Sequence, residues 1–565
     1  MKKLVSLLLA LCMLLGIAPA FAEEADWSKV EYLAAADIRT ETLTDFTGKT
    51  VILHSNDVHG ELRGYAWIAG LRTYFESLGA KVLLVDAGDF SQGSVYVSST
   101  KGAAAVEMMN AAKYDVVTLG NHEFDYGYEQ LMDNLSKATF QTLCANVTLD
   151  ETGEPILPGS TIIETESGLK LGFVGVETPE TVTKVNPGLI NMITFSTFDK
   201  LYADTQKAVD QLEGADLVIG LVHLGMAAES KPNGYRSSDL YAKVTGIDYL
   251  IDGHSHTVMT AGQHGEPIQS TGTKFEYLGV VVIDNESKKI EDHYLIPTYL
   301  GNKLFDAKFL DSDVQAAANK IMETVDQEYN SVFATSEIVL NGERAPGNRT
   351  EETNLGDLIT DAMVWSVVKE GGIEQVEPNA VVGITNGGGI RATINPGDVT
   401  KKDINTVLPF GNTVAVVYVT GAELLEALEA STFCTPEPIG GFPQTSGLRW
   451  TVDVSKPFDQ GEVYVLDGKE SSYYAPASIQ RVTIESVNGE PFDPNATYAV
   501  ITNNFITAGG DTYNVFHRSE SRFDTGIALD EAVMAFVEEM LGGKISKETY
   551  GEPAGRMTLV GTVSE

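Results

Sequence analysis

Residues 115–125 read Asp115-Val116-Val117-Thr118-Leu119-Gly120-Asn121-His122-Glu123-Phe124-Asp125. The first five residues are a brief, β-branched, mainly apolar run that begins with Asp115, which predicts a buried strand. Polar residues follow immediately after Gly120, and polar groups beside a buried strand are costly without a partner. Glycine permits close approach of the backbone to another group. The stretch therefore predicts a strand that carries polar side chains to a site at its carboxyl end.

The same pattern of a short apolar run bounded by Gly or Asp recurs through the first 300 residues. Runs this short and apolar predict strands that are buried on both faces, and helical patterns lie between them. We predict an α/β domain. Its strands are expected at 51–53, 81–85, 115–119, 171–176, 217–222 and 249–251, and two of its helices at 66–78 and 199–212.

Five motifs of metal-ligand type follow these strands, and they contain five of the nine histidines of the chain. They are Asp57-Val58-His59-Gly60, Asp86-Ala87-Gly88-Asp89, Gly120–Asp125, His223-Leu224-Gly225 and Gly253-His254-Ser255-His256, with Gln92-Gly93 as a weaker companion. Carboxylates and imidazoles at one sheet edge predict a two-metal hydrolytic site. Asp89 is the expected bridge, because its two oxygens can hold two ions roughly 3.5–4 Å apart. The expected ligands are Asp57, His59, Asp89, Asn121, His223, His254 and His256.

The N-terminus predicts export. Lys2 and Lys3 precede an apolar run from Leu4 to Ile17, and small residues follow up to Ala22. This pattern is typical of a signal peptide at 1–22 and too short for a permanent membrane anchor. The formal charge is −40. A surface this acidic disfavours nucleic-acid polymers and anionic membranes as partners. Cys144 and Cys434 alone follow the predicted leader, which excludes a disulfide framework.

The second half of the chain has a different character. Residues 311–333 predict a helix, capped by Asp311 or Ser312, that connects two domains or else packs on the first one. A helix capped by Asn354 is expected to turn Leu355, Leu358, Ile359 and Ala362 towards a core. Strands at 380–385, 413–419 and 498–502 alternate with Gly-rich loops, which predicts a second α/β domain.

The motifs of the first half resemble those of calcineurin-like metallophosphoesterases, specifically the exported 5′-nucleotidase / UDP-sugar hydrolase family. The resemblance implies a four-layer α/β/β/α domain with two divalent metal ions, which could be Zn, Mn, Co or Mg. One ion would be held by Asp57, His59, Asp89 and His256, and the other by Asp89, Asn121, His223 and His254. Some family members carry Gln or Asn at the position of His256. The resemblance also implies that His122 stabilises the transition state or protonates the leaving oxygen, oriented by Asp125.

The resemblance extends over nearly the whole chain after the leader. Segments Asn386–Arg391, Pro409–Asn412 and Asn503–Asp511 are similar to the nucleotide-binding segments of the same family. Phe410 and Phe505 would then stack on the base. The remaining substrate residues would be Arg349 and Arg391 for phosphate, Asp511 for ribose, and Asn386 and Asn412 for the sugar or base. Family members often carry a second arginine near Arg349, whereas Glu351 and Glu352 stand here and Arg344 lies upstream, which favours a monophosphate substrate.

The resemblance implies four segments: a signal peptide at 1–22, a metallophosphoesterase domain at 45–305, a connecting helix and hinge at 306–335, and a 5′-nucleotidase domain at 336–560. The expected reaction is hydrolysis of nucleoside 5′-phosphates by in-line attack of an activated water. Alternatives on the same scaffold are a 2′,3′-cyclic nucleotide phosphodiesterase with 3′-nucleotidase action, a UDP-sugar hydrolase and, more distantly, a thiosulfate-ester hydrolase. A non-catalytic surface protein is a further alternative. The sequence does not indicate the base or the oligomeric state.

Overall fold

A computed structural model of the chain describes residues 31–32, 45–185, 189–227, 230–300, 303–304, 309–369, 373, 375–466 and 468–562. The predicted signal peptide at 1–22 lies outside these residues. Among the described helices, none is both long and apolar enough to cross a membrane.

The first domain contains two six-stranded sheets. In the first sheet four strands are parallel and two antiparallel strands complete one side, in the order Lys289–Pro297, Tyr277–Asp284, Lys49–Ser55, Lys81–Asp86, Val116–Thr118 and Gln141–Leu143. The second sheet has four parallel strands flanked by an antiparallel strand on each side, in the order Val258–Met259, Ile268–Thr271, Tyr249–Asp252, Leu217–His223, Lys170–Glu177 and Ser160–Glu164. All six predicted strands are confirmed, within one or two residues at each end.

The two sheets pack face to face with helices outside. Successive side chains of the strand Lys49–Ser55 point to opposite faces of its sheet, and both faces are covered. Ile52 packs between the two sheets, while Val51 and Leu53 pack against the outer helices. On that outer side lie Gly64–Ser77, Ala103–Ala112 and Ser312–Tyr329, and on the other side lie Phe198–Asp210 and Ser237–Lys243. The four-layer α/β/β/α architecture is confirmed. Shorter helices lie at Val95–Ser98, Tyr128–Leu135 and Thr181–Lys184.

The helix Ser312–Tyr329 both packs on the first domain and leads to the second. Asp311 is its N-cap and accepts hydrogen bonds from the backbone N–H groups of Asp313 and Val314, as predicted. Val314 lies in the core beneath the first sheet, and strand Val332–Ser336 follows in the second half of the chain. The helix therefore does both things that the sequence analysis offered as alternatives: it connects the two domains and it packs on the first one.

The second domain is built on a five-stranded mixed sheet. Its order is Pro443–Ser446, Val381–Asn386, Thr497–Asn503, Thr413–Thr420 and Arg522–Ala528. Smaller sheets combine Gly397–Thr400 with Val332–Ser336 and Lys544–Ile545, and Glu490–Pro491 with Val482–Val487, Leu448–Asp453 and Met557–Val560. A separate hairpin joins Gln460–Leu466 and Lys469–Pro476. The main helices are Asn354–Lys369, Lys401–Val407, Gly421–Ser431 and Leu529–Glu539.

The helix Asn354–Lys369 differs from its sequence prediction at its N-cap and agrees with it along its apolar face. The capping role predicted for Asn354 is wrong, because its side-chain amide donates to the carbonyls of Val339 and Tyr550, while the hydroxyl of Thr353 accepts from the Gly356 N–H at 3.0 Å. The apolar face predicted for this helix is confirmed in the core. Cys144 and Cys434, whose pairing the sequence left open, are not joined by a disulfide.

Candidate functional site

The loops that follow Lys81–Asp86 and Val116–Thr118 are held together by one buried carboxylate. Glu123 accepts hydrogen bonds of 2.6–2.9 Å from the backbone N–H groups of Asp89, Phe90, Ser91 and Gly120. The loops are so close that a Cβ on Gly120 would collide with the Asp89 carboxylate. The close approach expected of Gly120 is thereby confirmed, and Glu123 fixes Asp89 and Asn121 side by side.

A first group of ligand atoms converges above the strand Lys49–Ser55. The Nε2 atoms of His59 and His256 are 3.0 Å apart, and His256 Nε2 is 3.5 Å from Asp57 Oδ1. His59 Nδ1 is 3.2 Å from the carbonyl oxygen of Gln92, which accepts its proton and leaves a lone pair on Nε2. The weak companion motif at Gln92 therefore contributes a backbone carbonyl that fixes the His59 tautomer.

A second group surrounds Asp89. His223 Nε2 is 3.1 Å from Asp89 Oδ2, and His223 Nδ1 is 2.6 Å from the carbonyl oxygen of Ala87. The carbonyl takes the Nδ1 proton, so His223 also directs a lone pair inwards. Burial opposes ionisation of Asp89, but His223, His122 and His59 hold its pKa well below the usual range.

Asn121 and His254 complete this second group. His254 Nδ1 is 2.9 Å from Asn121 Oδ1, and His254 Nε2 is 3.0 Å from Glu180 Oε2. If the neutral His254 ring carries its proton on Nε2, then Nδ1 is an acceptor and faces another acceptor, Asn121 Oδ1, at 2.9 Å. That contact is unfavourable unless a positive charge lies between them.

These residues fit bound divalent cations. His223 Nε2 is fully buried, and its 3.1 Å contact with Asp89 Oδ2 lacks hydrogen-bond geometry, so among the described residues it has no hydrogen-bond partner, which is costly for a polar atom unless it binds a ligand. Three groups of carboxylate and imidazole atoms converge within 4.8 Å: Asp57 with His59 and His256, His59 with Asp89 and His122, and Asp57 with Asp89 and His223. Oxygen and imidazole ligands of this type suit Zn, Mn, Co and related ions.

His122 and Asp125 form a pair beside these groups. His122 Nδ1 is 2.8 Å from Asp125 Oδ2, so Nε2 is the nitrogen available for another partner. Burial would lower the pKa of His122, but the carboxylates of Asp125 and Asp89 outweigh it and raise the pKa above its usual value. The ring is therefore suited to carry a proton and donate it.

One cavity between the two domains collects nearly all the residues predicted from the sequence. Asp57, His59 and His223 lie buried beneath it, next to Asp89. The predicted residues that line it are Asp89, Asn121, His122, Asp125, His254, His256, Arg349, Asn386, Arg391, Phe410, Asn412, Phe505 and Asp511. The domains face each other closely, since the ring centroids of His122 and Phe410 are 5.6 Å apart.

Consecutive parts of the chain match two domain families. Residues 50–258 match the calcineurin-like phosphoesterases, and residues 332–518 match the 5′-nucleotidase C-terminal domain. The chain belongs to the 5′-nucleotidase family. It is a metal-dependent phosphoesterase with the two-domain α/β architecture of that family.

Relatives of this 5′-nucleotidase family member align along most of the chain. The trifunctional nucleotide phosphoesterase protein YfkN of Bacillus subtilis is 29% identical over 88% of this chain, which spans only 34% of that longer protein. Human 5′-nucleotidase is 28% identical over 90% of this chain and 92% of its own length. The crystal structure of the 5′-nucleotidase precursor from Thermus thermophilus covers 91% of this chain and all of that one, with 27% identity and a TM-score of 0.72.

Arg344 is a further arginine of the site, which the sequence analysis noted only as lying upstream of Arg349. It lines the same cavity as Arg349 and Arg391, because the irregular turn Arg344–Asn348 returns the chain towards the cleft. Burial and the charge of Arg349 lower the pKa of Arg391 to about 10. A second arginine near Arg349 is therefore present, and only the spacing in sequence concealed it.

Two further side chains of the site, Lys184 and Glu180, were missed from the sequence. Lys184 lines the cavity together with Asn504 of the predicted segment Asn503–Asp511, and Glu180 contacts His254. Lys184 Nζ lies 3.5 Å from Asp511 Oδ1, so the pair joins the two domains across the cleft. Neither Lys184 nor Glu180 belongs to a ligand motif that follows a strand, and their place in the site arises from tertiary structure.

Proposed function

We propose that this protein is an exported di-metal 5′-nucleotidase that hydrolyses nucleoside 5′-monophosphates to nucleoside and phosphate. The observation that carries the proposal is the single cavity that joins two kinds of side chain. Asp89, Asn121 and His254 line its metal-type side, and Phe410 and Phe505 line its other side. A ligand with a phosphate at one end and a flat base at the other matches both sides.

The proposed metal ligands are the seven residues predicted from the sequence, with Asp89 shared between two ions. When bound, two divalent cations would supply Lewis acidity and lower the pKa of water to near neutrality. His122 then holds a proton at Nε2 and donates it to a phosphate oxygen or the leaving 5′ oxygen. Asp125 fixes the ring through the 2.8 Å contact at Nδ1 and favours its protonated form.

The remaining roles are assigned by chemistry. Arg349 and Arg391 would bind phosphate oxygens, because guanidinium groups suit anions of this shape. Phe410 and Phe505 would hold the base by stacking. Asp511 would accept hydrogen bonds from the ribose hydroxyls. Asn386 supports this last role, because its side-chain amide donates to Asp511 Oδ2 at 2.9 Å and orients the carboxylate.

A substrate panel tests the proposal. Phosphate release would be measured from AMP, 3′-AMP, 2′,3′-cyclic AMP and UDP-glucose, with chelator and with single metals restored. The proposal predicts that AMP is hydrolysed fastest and that chelation abolishes turnover reversibly. Preference for the 3′ or cyclic substrates, or full activity after chelation, would contradict it.

Arg344 favours UDP-sugar hydrolysis as a second candidate activity. Three arginines at one cavity provide more positive charge than a monophosphate needs, and they suit a diphosphate. Under this candidate, Arg344→Ala lowers kcat/KM for UDP-glucose at least tenfold more than for AMP. An equal loss for both substrates would leave Arg344 as a general phosphate contact.

Export is proposed from the N-terminal sequence alone. Lys2, Lys3 and the apolar run up to Ile17 have the composition of a secretory leader. N-terminal sequencing of protein recovered outside the producing cytoplasm is expected to begin at Glu23. Protein that retains Met1 or Lys2 at its mature terminus would argue against cleavage.

A further inference from the structure

Glu180 is a buried carboxylate that contacts one of the proposed metal ligands. It follows strand Lys170–Glu177 and immediately precedes the short helix Thr181–Lys184. Its side chain is 1% exposed, and its Oε2 lies 3.0 Å from Nε2 of the His254 imidazole. A carboxylate in such a dry position is costly unless a donor compensates it. The His254 ring is placed to be that donor.

The geometry of His254 differs from that of two other ligand histidines in the same site, His59 and His223. His59 and His223 each direct Nδ1 at a backbone carbonyl, of Gln92 and Ala87, and present Nε2 to the site. His254 is reversed: its Nε2 points away, at Glu180, and its Nδ1 faces Asn121 Oδ1. Each ring is therefore fixed by an acceptor on the nitrogen that does not face the site.

We propose that Glu180 is a positioning residue that holds His254 with its Nδ1 lone pair towards the second metal ion. The proposal rests on the proposed function, which supplies the metal. By accepting the Nε2 proton, Glu180 selects the tautomer that can bind a cation through Nδ1. As an anion it is a stronger acceptor than a backbone carbonyl, so it also makes the ring a better donor to the metal.

The backbone around Glu180 is fixed independently of this contact. Its N–H donates to the Thr178 hydroxyl at 3.2 Å, and its carbonyl accepts from the N–H groups of Thr183 and Lys184 at 2.9 Å. Removing the carboxylate charge should therefore leave the segment folded. The isosteric change Glu180→Gln is the appropriate variant, because it keeps shape and burial while the amide can present a donor to His254.

The experiment measures metal binding rather than turnover. Metal-free wild type, Glu180→Gln, Glu180→Asp and Glu213→Gln would be titrated with Co²⁺ against a competing chelator, with visible absorption as a spectroscopic readout. Glu213 is an exposed acidic residue and serves as a matched control. Thermal melting of each metal-free protein would report structural damage separately.

The expected result is specific to one ion. Wild type and Glu213→Gln bind two ions, whereas Glu180→Gln keeps one at wild-type affinity and binds the other about 10- to 100-fold more weakly, with an altered Co²⁺ spectrum. Its metal-free melting temperature stays at the wild-type value, and Glu180→Asp recovers part of the affinity.

Other outcomes overturn the inference. Wild-type affinity for both ions in Glu180→Gln would show that the carboxylate does not position His254. Equal weakening of both ions together with a lowered metal-free melting temperature would show a merely structural role. Failure of the wild type itself to bind two ions would overturn the proposed function. This outcome differs from failure of the inference about Glu180, because the control Glu213→Gln would then also fail to bind two ions.

Discussion

Five of the seven proposed metal ligands have left-handed backbone conformations. The φ angles of Asp57, His59, Asp89, His254 and His256 lie between +45° and +75°. Residues with a side chain adopt this region rarely and at a cost of about 1–3 kcal/mol when the surroundings impose it. The tight turns after each strand impose it here, and they direct the ligands of neighbouring strands to common points.

Replacing His122 tests its assignment as proton donor. In His122→Asn we expect kcat for AMP to fall about 10²- to 10⁴-fold, the usual contribution of general acid catalysis, with little change in KM. Steady-state kinetics measures both constants. Metal content measured in the same samples should equal that of the wild type, and unchanged kcat at full metal content would contradict the assignment.

Replacing Phe505 tests the stacking assignment. Loss of one base-stacking ring removes about 1–3 kcal/mol, so in Phe505→Ala we expect KM for AMP to rise about 5- to 150-fold while kcat changes less. The matched control is Phe523→Ala, because Phe523 is 42% exposed and does not line the cavity. A larger effect on kcat than on KM would point to a role in the chemical step instead.

At the scale of elements, the strand ends explain the order of the motifs. Asp57, Asp89 and Asn121 follow adjacent parallel strands of the first sheet, and His223 and His254 end or follow adjacent strands of the second. The face-to-face packing of the two sheets brings both sets together. Short apolar runs were sufficient to predict these strands, but nothing in their pattern indicated which sheet each one joins.

A buried polar contact also joins the two sheets of the first domain. His54 Nε2, on the first sheet, is 2.8 Å from Gln269 Oε1, on the second. Burial lowers the pKa of His54 to about 4, although the contact with Gln269 opposes the shift. The folded protein therefore keeps this ring neutral well below the pH at which the unfolded chain protonates it.

Acid should destabilise the protein through His54. Above about pH 6.5, the ordinary pKa of histidine, the ring is neutral in both states and has no effect on stability. As the pH falls from there towards 4, only the unfolded chain gains the proton, so the free energy of unfolding drops by about 2–3 kcal/mol by about pH 4.5. The free energy of unfolding, measured with denaturant at about pH 7.5 and about pH 4.5, should drop correspondingly less in His54→Asn than in the wild type. An equal drop in both proteins would contradict this effect.

At the scale of the whole molecule, the site exists only while the two domains face each other. Polar contacts hold this arrangement on the side of the hairpin formed by residues 460–476. Lys469 Nζ lies 2.9 Å from Asp150 Oδ2, and the Tyr474 hydroxyl donates to Asn233 Oδ1 at 2.7 Å. On the side of the connecting helix, Lys402 Nζ lies 2.7 Å from Asp326 Oδ1.

Weakening the hairpin contacts should open the cleft. The double variant Lys469→Ala/Asn233→Ala loses the exposed ion pair with Asp150 and the hydrogen bonds to Ile193, Ser472 and Tyr474, about 2 kcal/mol together. We expect KM for AMP to rise by up to about 30-fold and the radius of gyration measured by X-ray scattering to increase. The control Lys288→Ala removes a surface pair with Asp216 inside the first domain and should change neither quantity. Wild-type values in the double variant would show that these contacts do not control closure.

The sequence by itself determined the strands and supplied the proposed ligand set and the family resemblance, because each ligand motif is local and stands directly after an apolar run. The family resemblance of compact Gly- and Asn-rich segments also singled out Phe410, Phe505 and Asp511, and all three line the cavity. Only the tertiary structure placed Arg344, Lys184 and Glu180 in the site. Each of them enters it through the path of a turn, the docking of a short helix or the meeting of two domains, and such long-range packing leaves no periodic signal in a single chain.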